Sequence, residues 1–148
     1  MAGVKAVAQT AAIATGTSKK TLVQIIAAAN HRALVKEISI SFDGVSNTAV
    51  PILVEVARQS DAGTMSVLTP AKLNVDDSET LQTTATHTAS AEPTEADVVM
   101  AENVHPQGGY TWQAPFGGEI VISGGDRLGV AVTADAGVNA VARIAFEE

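Results

Sequence analysis

The chain has 148 residues, a formal net charge of -7 and 46% hydrophobic residues, with aromatics only 3% of the total. That length accommodates one domain with a proper core. Cysteine is absent, which excludes a disulfide framework, thiol catalysis and thiolate metal sites and fits a reducing cytosol.

The hydrophobic residues are mostly Ala, Val and Ile, which suit thin, closely packed β layers better than a large helical core. The charge is unevenly divided. No acid precedes Glu37, whereas Lys5, Lys19, Lys20, Arg32 and Lys36 all lie before it. No Lys or Arg occurs between Lys72 and Arg127. A basic leader on an acidic body predicts a segment that docks on a neighbouring copy or a partner.

Residues 1–20 therefore read as an N-terminal arm, either a disordered terminus or a segment that orders on a partner, with residues 21–148 as the folded domain. The apolar run Ala6–Ala14 is interrupted by Gln9 and Thr10 and enters a Thr-Gly-Thr-Ser exit. It is too short for a membrane span, and too short and Ala-rich for a good signal peptide.

From Thr21 the pattern turns to β. Thr21–Ala28 is a β-branched run, and Asn30-His31 is a turn. In Leu34–Phe42 the residues Ile38, Ile40 and Phe42 share one face, with Glu37, Ser39 and Ser41 opposite. Asp43-Gly44 signals a turn. Val50–Arg58 is a second strand, entered through Pro51. Val67–Leu73 is a short strand broken by Pro70. Asn74–Thr94, rich in Thr, Ser, Asp and Glu, reads as a long loop or an irregular edge, with one helical turn near Asp76–Leu81.

Strand character resumes at Asp97–His105, Tyr110–Ala114, Glu119–Ile122, Arg127–Thr133 and Val138–Phe146, separated by Gly-rich turns. Asp135-Ala136-Gly137 closes a last hairpin. Eight or nine short strands without a long helix predict an all-β antiparallel sandwich, jelly-roll-like.

Chemistry is sought next. His31, His87 and His105 have no metal spacing and read as polar turn residues. Asp76-Asp77-Ser78-Glu79 lacks the spacing and glycine of a calcium loop. Glu92 and Glu95 read as a solvated face, not an acid–base pair. The paired glycines fall between strands, so no phosphate loop is indicated. The pattern points to no catalytic site, no metal and no cofactor. The acidic body disfavours nucleic acid, and Lys5, Lys19 and Lys20 are too few to reverse that. The positive signal is Tyr110, Trp112 and Phe116, three of five aromatics within seven residues. They plug the core or build an interface. The candidate interface residues are thus Lys5, Lys19, Lys20, Tyr110, Trp112 and Phe116.

Several segments resemble small head proteins of tailed bacteriophages. They are Lys20-Thr21-Leu22-Val23-Gln24, Ala29-Asn30-His31-Arg32, Ser41-Phe42-Asp43-Gly44, His105-Pro106-Gln107-Gly108-Gly109-Tyr110, Arg127-Leu128-Gly129-Val130 and Asn139-Ala140-Val141-Ala142. Some such proteins are similar to decoration (cement) proteins, which sit as trimers on the capsid exterior. The resemblance implies a β-sandwich homotrimer, made in the host cytoplasm, that binds the major capsid protein and clamps capsomers, with an arm reaching a neighbour. It transfers no residue-level motif. The alternative is a carbohydrate- or receptor-binding β-sandwich of a phage fibre or tail, with Trp112 as its sugar platform.

Overall fold

The computed structural model describes Gly3–Glu148, all β and without a helix. Thirteen strands occur among the described residues: β1 Lys5–Gln9, β2 Ile13–Ala14, β3 Lys20–Ile26, β4 Ala33–Phe42, β5 Ile52–Gln59, β6 Thr64–Leu68, β7 Ala71–Lys72, β8 Thr84–Ala91, β9 Glu95–Val104, β10 Gly109–Gln113, β11 Ile120–Ile122, β12 Arg127–Thr133 and β13 Asn139–Glu147. They form two antiparallel sheets that pack face to face. Sheet A runs β10-β4-β13-β1-β7, and sheet B runs β6-β8-β3-β12-β5-β9.

Removing the inserted β6–β8 and the short β2 and β11 leaves two four-stranded sheets, β1-β13-β4-β10 and β3-β12-β5-β9. Apart from β5 to β9, where the insertion lies, each of these strands is followed by one in the opposite sheet. The first strand lies beside the last. This is jelly-roll connectivity.

The connectivity explains why several turn signals do not close hairpins. Asp135-Ala136-Gly137 carries the chain from β12 in sheet B to β13 in sheet A. Asp43-Gly44 likewise leaves sheet A for sheet B, and the Gly44 amide donates to the Pro106 carbonyl at 2.8 Å. Around Phe116, β10 and β11 do not pair with each other. Both pair with β4, one after the other.

Between the sheets lie Ile38, Ile40, Ile144 and Phe146 from sheet A and Val23, Ile25, Val56, Leu128 and Val130 from sheet B. The β4 alternation holds from Ile38 to Phe42. A bulge opposite Ala145 and Phe146 then puts Lys36 beside Glu37 on the outer face and returns Val35 to the core.

The proposed detachable arm is corrected. Met1 and Ala2 lie outside the described residues, but β1 is an interior strand, paired with β13 on one side and β7 on the other. Val4, Ala6, Ala8 and Ile13 are buried. Alanines fit here because Ala6 and Ala8 lie directly beside the larger Phe146 and Ile144 of the neighbouring strand, on the core face of the same sheet. A strand of Ala and Val carries too weak a hydrophobic signal to stand out on its own.

The long loop predicted over Asn74–Thr94 is also corrected. Its second half forms β8, in which Ala85 and Ala89 are buried and the intervening positions are Thr and His. Thr88, at φ 55°, turns the strand in the left-handed region. No helical turn forms at Asp76–Leu81, where Asn74 and Asp77 side chains instead cap local amides.

Sheet B is buried on both faces at its centre. Thr21, Gln24 and Gln59 point away from the core yet are covered by residues 60–63 and 92–94. Gln24 donates to Gln59 Oε1 at 2.6 Å and to the Asp61 carbonyl at 3.1 Å, and Gln59 donates to the Thr21 hydroxyl. Glu92 accepts from the Thr21 amide and hydroxyl, so it is a staple and not part of a solvated face.

Deleting residues 4–9 should abolish cooperative unfolding, because it strips one whole edge of β13 and opens the core. The check is thermal and urea denaturation followed by circular dichroism. A truncated protein that melts like the full chain would restore the arm.

Candidate interaction surfaces

Two of the early basic residues, Lys19 and Lys36, find acids within the same chain. Lys19 lies 2.8 Å from Glu55 and 2.6 Å from Glu95, over the outer face of sheet B. Burial opposes its charge, but the hydrogen bonds to Glu55 and Glu95 outweigh it and raise the pKa. Glu95 is thereby a second structural staple. Lys36 lies 2.9 Å from Glu119 and 3.5 Å from Glu147, and Arg143 pairs with Glu37. The Lys36 contact to Glu119 raises the lysine and lowers the glutamate. Two of the five early bases, Lys19 and Lys36, are thus engaged by acids of the same chain, which accounts for part of the charge split in the sequence. Lys20 opens β3, half-buried, and Lys5 opens β1 on the outer face of sheet A.

The aromatic cluster divides. Tyr110 and Trp112 point inward from the edge strand β10 and pack, half-buried, against the core. Phe116 is the opposite case. It sits at the tip of Pro115-Phe116-Gly117-Gly118 and is fully exposed at 108%.

Its turn is tightly specified. The Gly118 amide donates to the Pro115 carbonyl at 2.8 Å. Gly117 takes φ 78°, which a side chain would resist. A Cβ on Gly118 would come within 2.6 Å of the Pro115 ring. The Ala114 amide anchors the loop to Lys36 of β4 at 2.8 Å. An aromatic side chain is therefore held out in water by a rigid support.

Across sheet A from this turn, Leu73 follows β7 and is 63% exposed. Two open cavities adjoin it, sharing Leu73 and Ala145. One of about 380 Å³ is also lined by Lys5, Lys36, Phe146 and Glu147. The other, of about 330 Å³, adds Val7, Gln9, Glu37 and Arg143. Together they form a shallow trough with an apolar floor and charged walls.

The other exposed edge is β9, ten residues long, with Val98 and Val99 open to solvent. It is guarded against strand addition. Register breaks kink its pairing with β5, and Glu95, Asp97 and Glu102 make it acidic.

The histidines serve local structure. His31 meets the Gln82 amide at 3.0 Å, and His105 Nδ1 accepts from the Gln107 amide at 3.1 Å. His87 is not in a turn but within β8, 2.8 Å from the Thr88 hydroxyl. Among the described residues no group of His, Asp or Glu is placed to hold a metal ion. Comparison with protein families, with curated proteins and with solved structures finds no match to this chain.

Two loop carboxylates, one at each end of β5, are held below the usual range. The Asn139 side chain and backbone hydrogen-bond Asp43, and the Thr94 side chain and backbone, with the Gly63 amide, hold Asp61. A lowered folded pKa adds stability above the ordinary carboxylate value and loses it as pH falls through the folded value. The raised lysines act oppositely, losing their contribution only above the ordinary lysine value. Stability should therefore be flat with respect to these groups from about pH 5 to about pH 10. Asp61→Asn should lower the melting temperature at pH 7, and the gap from wild type should close as pH descends through the carboxylate range. A gap that stays constant would remove the ionic role of Asp61.

The divided aromatics give a second expectation. Trp112→Ala should cost about 2–3 kcal/mol of stability, less than a fully buried Trp. Phe116→Ser should change stability by no more than about 0.5 kcal/mol. Urea midpoints measure both, and a large loss for Phe116→Ser would mean that its exposure is only apparent.

Proposed function

We propose that this protein is a non-enzymatic structural subunit that binds the outside of a tailed-phage capsid as a homotrimer and stabilises it. The observation that carries this reading is Phe116. A fully exposed aromatic on a two-glycine turn contributes nothing to the fold of its own chain and suits a contact with another. The rest of the surface supports the same reading. The carboxylates that could do acid–base work, Glu92 and Glu95, are engaged as staples across sheet B. The two cavities that form the Leu73 trough are shallow and lie over the face of sheet A.

The interaction belongs to folded surfaces and not to a basic arm, since Lys19 is neutralised within its own chain. The partners are other copies of the chain and the major capsid protein. The resemblance of the turn segments to phage head proteins supplies the capsid.

The test has two parts. Light scattering in physiological salt should give three times the chain mass. Co-sedimentation with capsids of the encoding virus should be saturable and should raise the temperature at which those capsids open. A monomer that neither sediments with capsids nor protects them would end the proposal.

A further inference from the structure

We propose that copies of this chain associate head to tail through sheet A, the Phe116 turn of one copy seating in the Leu73 trough of the next. The contact deepens the oligomeric reading above and rests on it. Knob and trough lie at one level of the sheet but on opposite sides. In the β10-β4-β13-β1-β7 order the strand that leads into the Phe116 turn and the strand that leads to Leu73 stand four spacings apart, about 19 Å. Phe116 is fully exposed and does not enter the trough of its own chain, so the occupant is a second copy.

Charge selects the same arrangement. Along this row of the outer face, acid and base alternate: Glu119, Lys36, Glu147, Lys5. Lys36 bridges Glu119 and Glu147, and Glu147 is the cross-strand partner of Lys5. The row starts with an acid beside Phe116 and ends with Lys5 beside Leu73, where Asp77 lines the same hollow. Among the described residues Lys5 makes no ion pair. Head-to-tail contact sets Glu119 of one copy against Lys5 of the next and continues the alternation. Joining like edges would set Glu119 against Glu119, or Lys5 against Lys5, which repels. A contact between two different patches propagates and closes into a ring when the rotation permits, three copies here.

The experiment uses the full chain and sedimentation velocity without capsids. Phe116→Ser removes the knob, and Leu73→Asp spoils the trough. Each should weaken self-association by about tenfold or more, with unchanged circular dichroism and melting temperature. An equimolar mixture of the two variants retains one sound knob and one sound trough. It should form a one-to-one pair and nothing larger. The charge arm is Lys5→Glu, which should also dissociate the assembly, and more so at low salt. A wild-type oligomer that neither variant weakens overturns this contact while leaving the oligomeric reading standing. A wild-type monomer overturns both. A mixture that stays monomeric, or that restores the full oligomer, overturns the head-to-tail arrangement.

Discussion

The pairing of the first strand with the last holds this fold together. Val4 and Glu148 exchange backbone hydrogen bonds at 3.0 Å in both directions, and β1 lies against β13 in unbroken register from Lys5 to Gln9. Val4 and Glu148 thus meet inside sheet A, and the sheet cannot be completed until β1 and β13 are both present. Such pairings are distant in sequence, so loop closure must be met before the contacts reward it, and folding is slow for the size. The thin core follows from the same pairing. Ala6 and Ala8 on β1 face the space filled by Phe146 and Ile144, and a larger side chain on β1 would force the sheets apart.

Electrostatics closes the outer surfaces. Sheet B would show Thr21, Gln24 and Gln59 to solvent if residues 60–63 and 92–94 did not cross it. Lys19 clamps that cover through Glu55 and Glu95. On sheet A, the bulge at Lys36 lets one lysine reach both Glu119 and Glu147. Each exposed pair is worth little alone. Their value lies in fixing the register of segments with few large side chains to lock them.

The strands with strong alternation were legible. β4, β5, β12 and β13 announce themselves through Ile38, Ile40, Val54, Val130 and Ile144, and with them the sandwich class. β1 and β8 were not, because their buried positions are alanines and their exposed ones Thr, Gln or His. A small residue reports burial only when its neighbours in space are known. The charge asymmetry marks complementarity, and for Lys19 and Lys36 the partner lies in the same chain. The acids opposite Lys19 and Lys36 lie 36 to 111 positions further along the sequence, and a one-dimensional reading cannot distinguish them from acids on another molecule. Of the candidate interface, Phe116 kept its exposure while Tyr110 and Trp112 turned inward, because β10 alternates and the turn after it does not.

That last contrast bears on how such a domain can interact at all. A jelly roll with a slim aliphatic core has little spare stability to lose, so a contact residue must be separable from the fold. Phe116 meets that condition. Its backbone is fixed by the Pro115–Gly118 turn and by Ala114 on Lys36, so seating it in a partner costs mainly the freedom of two side-chain torsions. An aromatic with few rotamers on a rigid loop loses less entropy on binding than the same area spread over flexible lysines. A basic arm would have had to order many residues for each charge it brought. The chain instead folds its N-terminus into the sheet and leaves the exposed aromatic to a four-residue turn.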